Sequence, residues 1–562
     1  MWNDLRRKFT SLLMMPAGPV VQANGRVWYL SQEGFQLFGS SGPDLDRWIA
    51  EGRAQIVKNG PHRTVYRVSL PNETVYVKHC RINGPRAWAR ELFRLPKAQL
   101  EFDNAEKLRI LNIGTVIPLA WGKGERLGPG ESFLISRDLA PARPLTVILH
   151  EPLSPLQRQQ LARALGRFFA QLHDRGVIHP DPHPDNLLVD FEPGAKLRFF
   201  LLDVHGVGFG APLTWSQSRD NLILLNRWFQ LRTSATDRCR FWREYCSARQ
   251  TLQVPPAHRE LERATLASNR RFWLARTQRY NGTHRSIRPI RRGCYRGFAV
   301  RELPEEFVRQ LLADPDGLLA QPHTKILKRC AHSTVAEVVM PTPAGPRPVI
   351  LKRVAAPHAW HGWKNLLRNS AVRRSWLMGH GLIERQLPTA RPLAMFHRYC
   401  GYVLPMEGYL VTEKVPQAIG LPEAVRGTDD RRLIRRWAER LARWVRRMHD
   451  RGVSHRDLKA PNILLQYAIT DPAHSIPVFI DLVGVRATAA IVPWLRRVKE
   501  LARLNASFLA MPHITRTQRL RFLLTYLRTG ETESDWKKWW QAISCATLAK
   551  VAKNRRANRV LG

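Results

Sequence analysis

Two stretches of this 562-residue sequence carry the same acidic and amide side chains at the same spacing. In the first, Asp181 is followed five positions later by Asn186, and a second acid, Asp203, closes an aliphatic run at Leu202 and precedes Gly206. In the second, Asp457 is followed by Asn462, and Asp481 sits between Ile480 and Leu482 with Gly484 beyond. A carboxylate that can take a proton from a hydroxyl, with an amide oxygen and a second carboxylate for a divalent cation, is the minimal equipment for phosphoryl transfer. Mg²⁺ suits so sparse a set because substrate phosphates complete its shell. A single Asp beside a glycine usually just shapes a turn. Six such positions at matched spacing in two copies argue for chemistry. Asp181 and Asp457 are therefore the candidate catalytic carboxylates, and Asn186, Asp203, Asn462 and Asp481 the candidate metal ligands.

The elements that must position these residues are also present twice. Leu172-His-Asp-Arg-Gly-Val-Ile-His-Pro-Asp181 returns as Met448-His-Asp-Arg-Gly-Val-Ser-His-Arg-Asp457, 276 residues later. A helix precedes each loop, with Leu161, Leu165, Phe168 and Leu172 at helical spacing in one and Leu433, Trp437, Leu441, Trp444 and Met448 in the other. Further upstream, alternating runs at 64–68 and 74–78, and again at 334–338 and 348–352, predict a β-hairpin in each half. The offsets between matching landmarks drift slowly, as expected of a duplicated domain with small loop insertions rather than a solenoid. The spacing predicts an α+β architecture of two tandem bilobal domains, each with a small antiparallel sheet followed by a helical lobe. Boundaries follow at 1–42 (leader), 43–300 (first domain), 301–314 (linker) and 315–562 (second domain).

Composition narrows the partners. Lys and Arg number 89 against 46 Asp and Glu, a formal charge of +43, which points to a polyanionic partner. No zinc-finger, helix-turn-helix or other specific nucleic-acid signature accompanies it. Seven cysteines without a CxxC pair argue against a disulfide framework and for a reducing compartment. No run reaches the roughly 18 apolar residues of a membrane-spanning helix. The first 16 residues are basic and then apolar, a pattern that fits a short surface helix better than a signal peptide. A cytoplasmic protein is expected.

The loops His179-Pro-Asp181-Pro-His183-Pro-Asp-Asn186 and His455-Arg-Asp457-Leu-Lys459-Ala-Pro-Asn462 resemble the catalytic loops of the protein-kinase-like superfamily. The segments Arg373-Arg-Ser-Trp-Leu-Met-Gly-His-Gly-Leu382 and Leu387-Pro-Thr-Ala-Arg-Pro-Leu393 add a look similar to the bacterial lipopolysaccharide kinase (Kdo/WaaP) family. The resemblance covers roughly 43–300 and 315–562. It implies a protein-kinase-like fold and ATP-dependent phosphotransfer, with Mg²⁺ or Mn²⁺, to a lipopolysaccharide core sugar or related anionic glycolipid. It makes Lys78 and Lys352 the strand lysines that hold nucleotide phosphates, and Glu101 the partner of Lys78. The same alignment puts Arg374 at the second copy's glutamate position, leaving Lys352 without a carboxylate. Lys459 would meet the γ-phosphate, with His183 in its place in the first copy, as in aminoglycoside-phosphotransferase-like kinases.

The sequence departs from the superfamily pattern in two ways. Neither copy has a G-x-G-x-x-G loop; Asn59-Gly60-Pro61-His62 and Arg329-Cys330-Ala331-His332 stand there instead. The metal motif is D-x-x-G and no A-P-E follows, so no long peptide-docking segment is evident, which favours a small or lipid-linked acceptor. An atypical Ser/Thr protein kinase and a regulatory pair that binds nucleotide without turnover are the alternatives. Arg81, Arg86, Arg90, Arg94 and Lys97 around Trp88, and Arg353, Lys364, Arg368, Arg373 and Arg374 around Trp360 and Trp363, suit a phosphorylated glycolipid or an anionic membrane surface. The expected partners are thus ATP and a phosphorylated glycolipid or lipopolysaccharide precursor, met peripherally at the inner face of the cytoplasmic membrane.

Overall fold

The computed structural model describes residues 18–92, 94–125, 128–192, 197–252, 256–342, 345–356, 358–401, 403–509, 511–528 and 535–556. The surface helix expected in the first 16 residues lies outside these. The chain divides into two units, 1–265 and 266–562, and each is α+β.

The first unit opens with a seven-stranded antiparallel sheet of β1 (Val20–Ala23), β2 (Arg26–Leu30), β3 (Ala54–Asn59), β4 (Arg63–Ser69), β5 (Thr74–Cys80), β6 (Pro118–Gly124) and β7 (Ser132–Arg137), in the order β1-β2-β6-β7-β5-β4-β3. Alternation fixes what each face does. Val75 and Val77 of β5 are fully buried among Trp28, Leu119 and Phe133, so Tyr76 and Lys78 point to the other face. The helix α1 (Lys97–Ile110) follows, burying Glu101, Phe102, Ala105 and Leu108. The second lobe is built on α2 (Pro155–Asp174), started by a Ser154–Gln157 capping box with Pro155 at its first turn and seated through Leu161, Leu165, Phe168 and Leu172. α3 (Trp215–Arg232) packs behind the loop between them.

The second unit repeats this order. β8 (Ile287–Arg292), β9 (Tyr295–Val300), β10 (Lys325–Cys330), β11 (Ser333–Met340), β12 (Arg347–Val354), β13 (Pro392–Cys400) and β14 (Leu404–Glu413) form a sheet in the order β8-β9-β13-β14-β12-β11-β10. Lys352 faces Leu410 across β12–β14 as Lys78 faces Leu134 across β5–β7. The edge hairpins carry the same register shift, at Ile56/Lys58 and at Ile326/Lys328. Helices α4 (Ala359–Leu367) and α5 (Ala371–Glu384) follow β12, then α6 (Arg431–Asp450) and α7 (Trp494–Ala506). In α6 the buried stripe is Ile434, Trp437, Leu441, Val445 and Met448, while Leu433 and Trp444 are half-buried.

The expected boundaries move. Residues 20–30 are not leader but the edge hairpin of the first sheet. Asn24 and Gly25 both have positive φ, the geometry that suits an Asn-Gly hairpin turn. Residues 287–300, assigned by sequence to the first domain, form the corresponding hairpin of the second sheet. From Leu266 onward the helix His258–Arg279 belongs to the second unit: Trp273 is buried, and Thr277 Oγ1 accepts from Arg385. The supposed linker 301–314 is mostly a helix, Glu305–Ala313, whose Phe307 and Leu311 are buried in the second sheet's core. Phe307→Ala would cost about 3–5 kcal/mol, as core truncations do.

Candidate functional site

In both units the same three hydrogen bonds, one within the loop and two across to the strand end, hold the loop of the candidate catalytic Asp against the segment of the candidate metal-ligand Asp. Asn186 Nδ2 donates to the Asp181 carbonyl at 2.9 Å, Leu202 N–H to the Asn186 carbonyl at 2.9 Å, and His179 Nε2 to the Leu202 carbonyl at 2.9 Å. Asn462 Nδ2 donates to the Asp457 carbonyl at 2.9 Å, Ile480 N–H to Asn462 at 3.0 Å, and His455 Nε2 to Ile480 at 3.2 Å. Because the amide nitrogen donates into the loop, each Asn keeps Oδ1, with its lone pairs, as the acceptor it presents. Asp203 and Asp481 both take the left-handed conformation at φ 56°, rare for a non-glycine residue. Each begins a 3₁₀ turn there that ends on the glycine three residues on, Gly206 or Gly484, as the D-x-x-G spacing requires.

The lysines then diverge. Lys78 is salt-bridged to Glu101, both largely buried. Asp203 lies within the same cluster: His205 Nδ1 is 3.0 Å and Arg63 Nη1 3.4 Å from its Oδ1. His205, despite burial, and then Lys78 and Arg63 hold the Asp203 carboxyl below the usual carboxylate range. Among the described residues, Glu101, Asp203 and His205 have ligand atoms mutually within 4.8 Å, close enough for one cation. Arg63 starts β4, so the edge hairpin, lacking glycine-rich sequence, delivers a cation to the site.

In the second unit Lys352 Nζ is 2.7 Å from Asp481 Oδ1. Burial opposes ionisation of Asp481, and Lys352 outweighs it, so the carboxyl stays below its ordinary range. Helix register explains the difference and corrects the alignment. Asn112 and Gln386, which terminate α1 and α5, both have positive φ, and counting back from them places Ser375, not Arg374, opposite Glu101. Ser375 Oγ donates to the Ala371 carbonyl, and Arg374 Nη1 to Asn369, so neither reaches Lys352.

A cleft of about 1200 Å³ is lined by Lys352, Asp457, Lys459, Asn462 and Asp481 together. Lys459 Nζ is 3.1 Å from Asp457 Oδ2. In the first unit a cleft of about 1270 Å³ is lined by Arg63, Lys97, Glu101, Asp203 and His205. Lys78, Asp181, His183 and Asn186 are not among its lining residues, and Asp181 is exposed in the loop described above. His183 Nδ1 accepts from the Asp185 N–H at 3.2 Å, so Nε2 is the ring's other nitrogen. The side chains of Arg86 and Arg90 lie outside the described residues.

Sequence reasoning missed the brace behind each loop. Glu500 of α7 is fully buried and accepts from His449 Nε2 at 3.2 Å, from Ser454 Oγ, and from the His455 and Arg456 N–H groups at 3.0 and 3.1 Å. Burial works against its charge, but these donors hold it below the usual carboxylate range. Asn221 of α3 takes its place in the first unit, with Oδ1 on His173 Nε2 at 3.2 Å and Nδ2 donating to the His179 carbonyl at 2.6 Å. Tyr245 and Tyr526 hydroxyls lie 2.8 Å from Nδ1 of the two histidines. The signal was there: His173 and His449 fall inside the repeated stretch.

A metal fits these residues. Asn186 with Asp203, and Asn462 with Asp481, are oxygen donors of the kind Mg²⁺ takes.

Comparison with known proteins agrees. The model of the lipopolysaccharide kinase (Kdo/WaaP) family matches twice, at residues 65–245 and 358–526, together more than half of the chain. The second match begins beyond Lys352. No curated protein matches the chain. A solved structure described as WaaP in complex with acyl carrier protein is similar at 19% identity over 45% of this chain and 96% of that one, with a TM-score of 0.31. The family favours phosphotransfer to lipopolysaccharide over the protein-kinase and turnover-free alternatives. The chain belongs to the lipopolysaccharide kinase (Kdo/WaaP) family and is a kinase.

Proposed function

We propose that each unit carries a phosphotransfer centre, with the first unit's assembled for work and the second's closed by its own lysine. The observation that carries this is the partner of the strand lysine: Glu101 for Lys78, the metal-ligand Asp481 for Lys352. In the first unit Lys78, oriented by Glu101, meets the nucleotide phosphates, with His183 Nε2 as a further phosphate donor. Asn186 Oδ1 and Asp203 would hold Mg²⁺, which neutralises phosphate charge when bound. Asp181 receives the acceptor hydroxyl's proton as the hydroxyl oxygen bonds the γ-phosphorus. The bond from that phosphorus to the β,γ-bridging oxygen breaks, releasing ADP and leaving a phosphomonoester on the sugar. Asp457, Asn462, Asp481, Lys352 and Lys459 would play the same parts in the second unit once nucleotide phosphates draw Lys352 off Asp481.

The acceptor is a phosphorylated lipopolysaccharide precursor, consistent with the +43 charge, met at the cytoplasmic face of the inner membrane. The test is ATP turnover by the full chain with Mg²⁺ and a lipopolysaccharide acceptor. Asp181→Asn is expected to remove most of the phosphate incorporated, and Asp457→Asn a smaller share. Incorporation unchanged in the double variant would overturn the assignment.

A further inference from the structure

The nine-residue helix α4, which follows the lysine strand of the second unit, faces the wrong way for a surface helix. Its inner side is polar or bare. A Cβ on Gly362 would come within 2.8 Å of Met406 Sδ and 3.3 Å of Leu404 Cβ, so the glycine lets the helix lie directly on β14. Asn365 Nδ2 fastens it there, donating to the Pro405 and Met406 carbonyls at 3.0 and 3.3 Å. The outer side holds the large apolar residues. At 100° per residue Trp360, Trp363 and Leu367 fall within one narrow stripe, and they are 63, 51 and 79% exposed. Leu366, 50% exposed, flanks the stripe. Lys364 lies at its edge with Nζ 5.5 Å from the Trp360 ring centroid, and exposed Arg368 follows.

A helix that packs through glycine and asparagine while presenting two tryptophans and two leucines outward has left its apolar face for another phase. The chemistry selects which. Indole rings with an apolar body and a polar edge, next to long cationic side chains that can reach back to headgroups, match the bilayer interface. The basic rim and the overall +43 charge select an anionic surface. The first unit repeats the device in smaller form: the helix Pro85–Glu91 after its lysine strand carries Trp88 at 47% exposure, with Leu92 behind it at 40%.

We propose that α4 is a membrane-contact helix that enters the interface of an anionic bilayer through Trp360, Trp363 and Leu367, with Lys364 and Arg368 on the headgroups. The inference takes from the proposed function only that the acceptor is a membrane glycolipid. The experiment reads binding without turnover, so failure of either reading is seen separately. The full-length protein is floated on a density gradient with vesicles of phosphatidylcholine alone or of equal parts phosphatidylcholine and phosphatidylglycerol. The wild type is expected to float with the anionic vesicles. W360S/W363S/L367S is expected to lower its bound fraction about tenfold with an unchanged melting temperature, since the three side chains are solvent-exposed. K364E/R368E is expected to lower it less, and only on the anionic vesicles. A triple variant that floats like the wild type, the result expected if the stripe serves a protein partner, overturns the proposal. So does a wild type that stays at the bottom with both vesicles.

Discussion

The loops that carry Asp181 and Asp457 are braced by opposite hydrogen-bond chemistry. In the second unit the loop offers donors: the Ser454 hydroxyl and the N–H groups of His455 and Arg456. A carboxylate can only accept, so Glu500 fits. In the first unit Ile178 replaces the hydroxyl, and Pro180, at the position of Arg456, has no N–H to give. A carboxylate there would be buried without enough donors, and Asn221 supplies one acceptor for His173 and one donor for the His179 carbonyl. Proline is also locked at negative φ, whereas Arg456 sits at φ 64°. Pro180 with Asn221 and Arg456 with Glu500 are therefore matched pairs, each loop suited to its own brace. The lysine sites differ in the same coupled way: where Glu101 is replaced by Ser375, the orphaned ammonium takes the nearest carboxylate, Asp481.

The largest expected effect separates the two centres. Asp181→Asn should cost roughly a thousandfold in kcat at the first site, within the range for a lost general base, read by phosphate incorporation in a background carrying Asp457→Asn. Equal losses from either single variant would show that the two sites work alike despite their lysines. Next is the lysine partner. Glu101→Ser should lower kcat/KM for ATP about tenfold, since Lys78 loses its orienting charge, and Ser375→Glu should raise nucleotide affinity of the second site by about the same factor, measured by titration calorimetry.

The braces give smaller, structural effects. Glu500→Gln turns one acceptor oxygen into a donor facing N–H groups and should destabilise the second unit by about 2–3 kcal/mol. Asn221→Asp, which aims a carboxylate at the His179 carbonyl, should cost the first unit a similar amount, both followed by thermal melting. The mildest effect is with pH. Burial lowers His173 from 6.5 to about 4. The unfolded chain then binds the proton first on acidification, so stability is full above 6.5 and is lost as pH falls toward 4, by ~1 kcal/mol between pH 7 and about 5.7. Glu500 adds a more acidic step in the second unit, its contribution present above the ordinary carboxylate range and lost as pH falls from that range toward about 2. Asn221→Asp should raise the His173 pKa and shrink the first unit's acid loss, visible in the pH dependence of its melting.

Much of this was legible in the chain. Motif spacing is local, so Asp181–Asn186 and Asp457–Asn462 could be read directly, and the strands carrying Lys78 and Lys352 showed in their alternation. The edge hairpins at 20–30 and 287–300 were not assigned, although Asn24-Gly25 is a turn signal, because an edge strand with one half-exposed face alternates weakly and its partners lie about a hundred residues away. Segment 301–314 reads as a linker because Pro304 and its acids mask the buried Phe307 and Leu311.

What the sequence by itself determined is the chemistry and its duplication, since residue type and short-range spacing dictate which groups can meet in a loop. What only the tertiary structure decided is which charge each lysine holds and how each loop is braced. Those contacts join residues 23 to 129 positions apart, and a helix register one residue from the expected one replaces Arg374 with Ser375. An offset of 100° on a helix moves a side chain off the cleft, and no composition or motif records it.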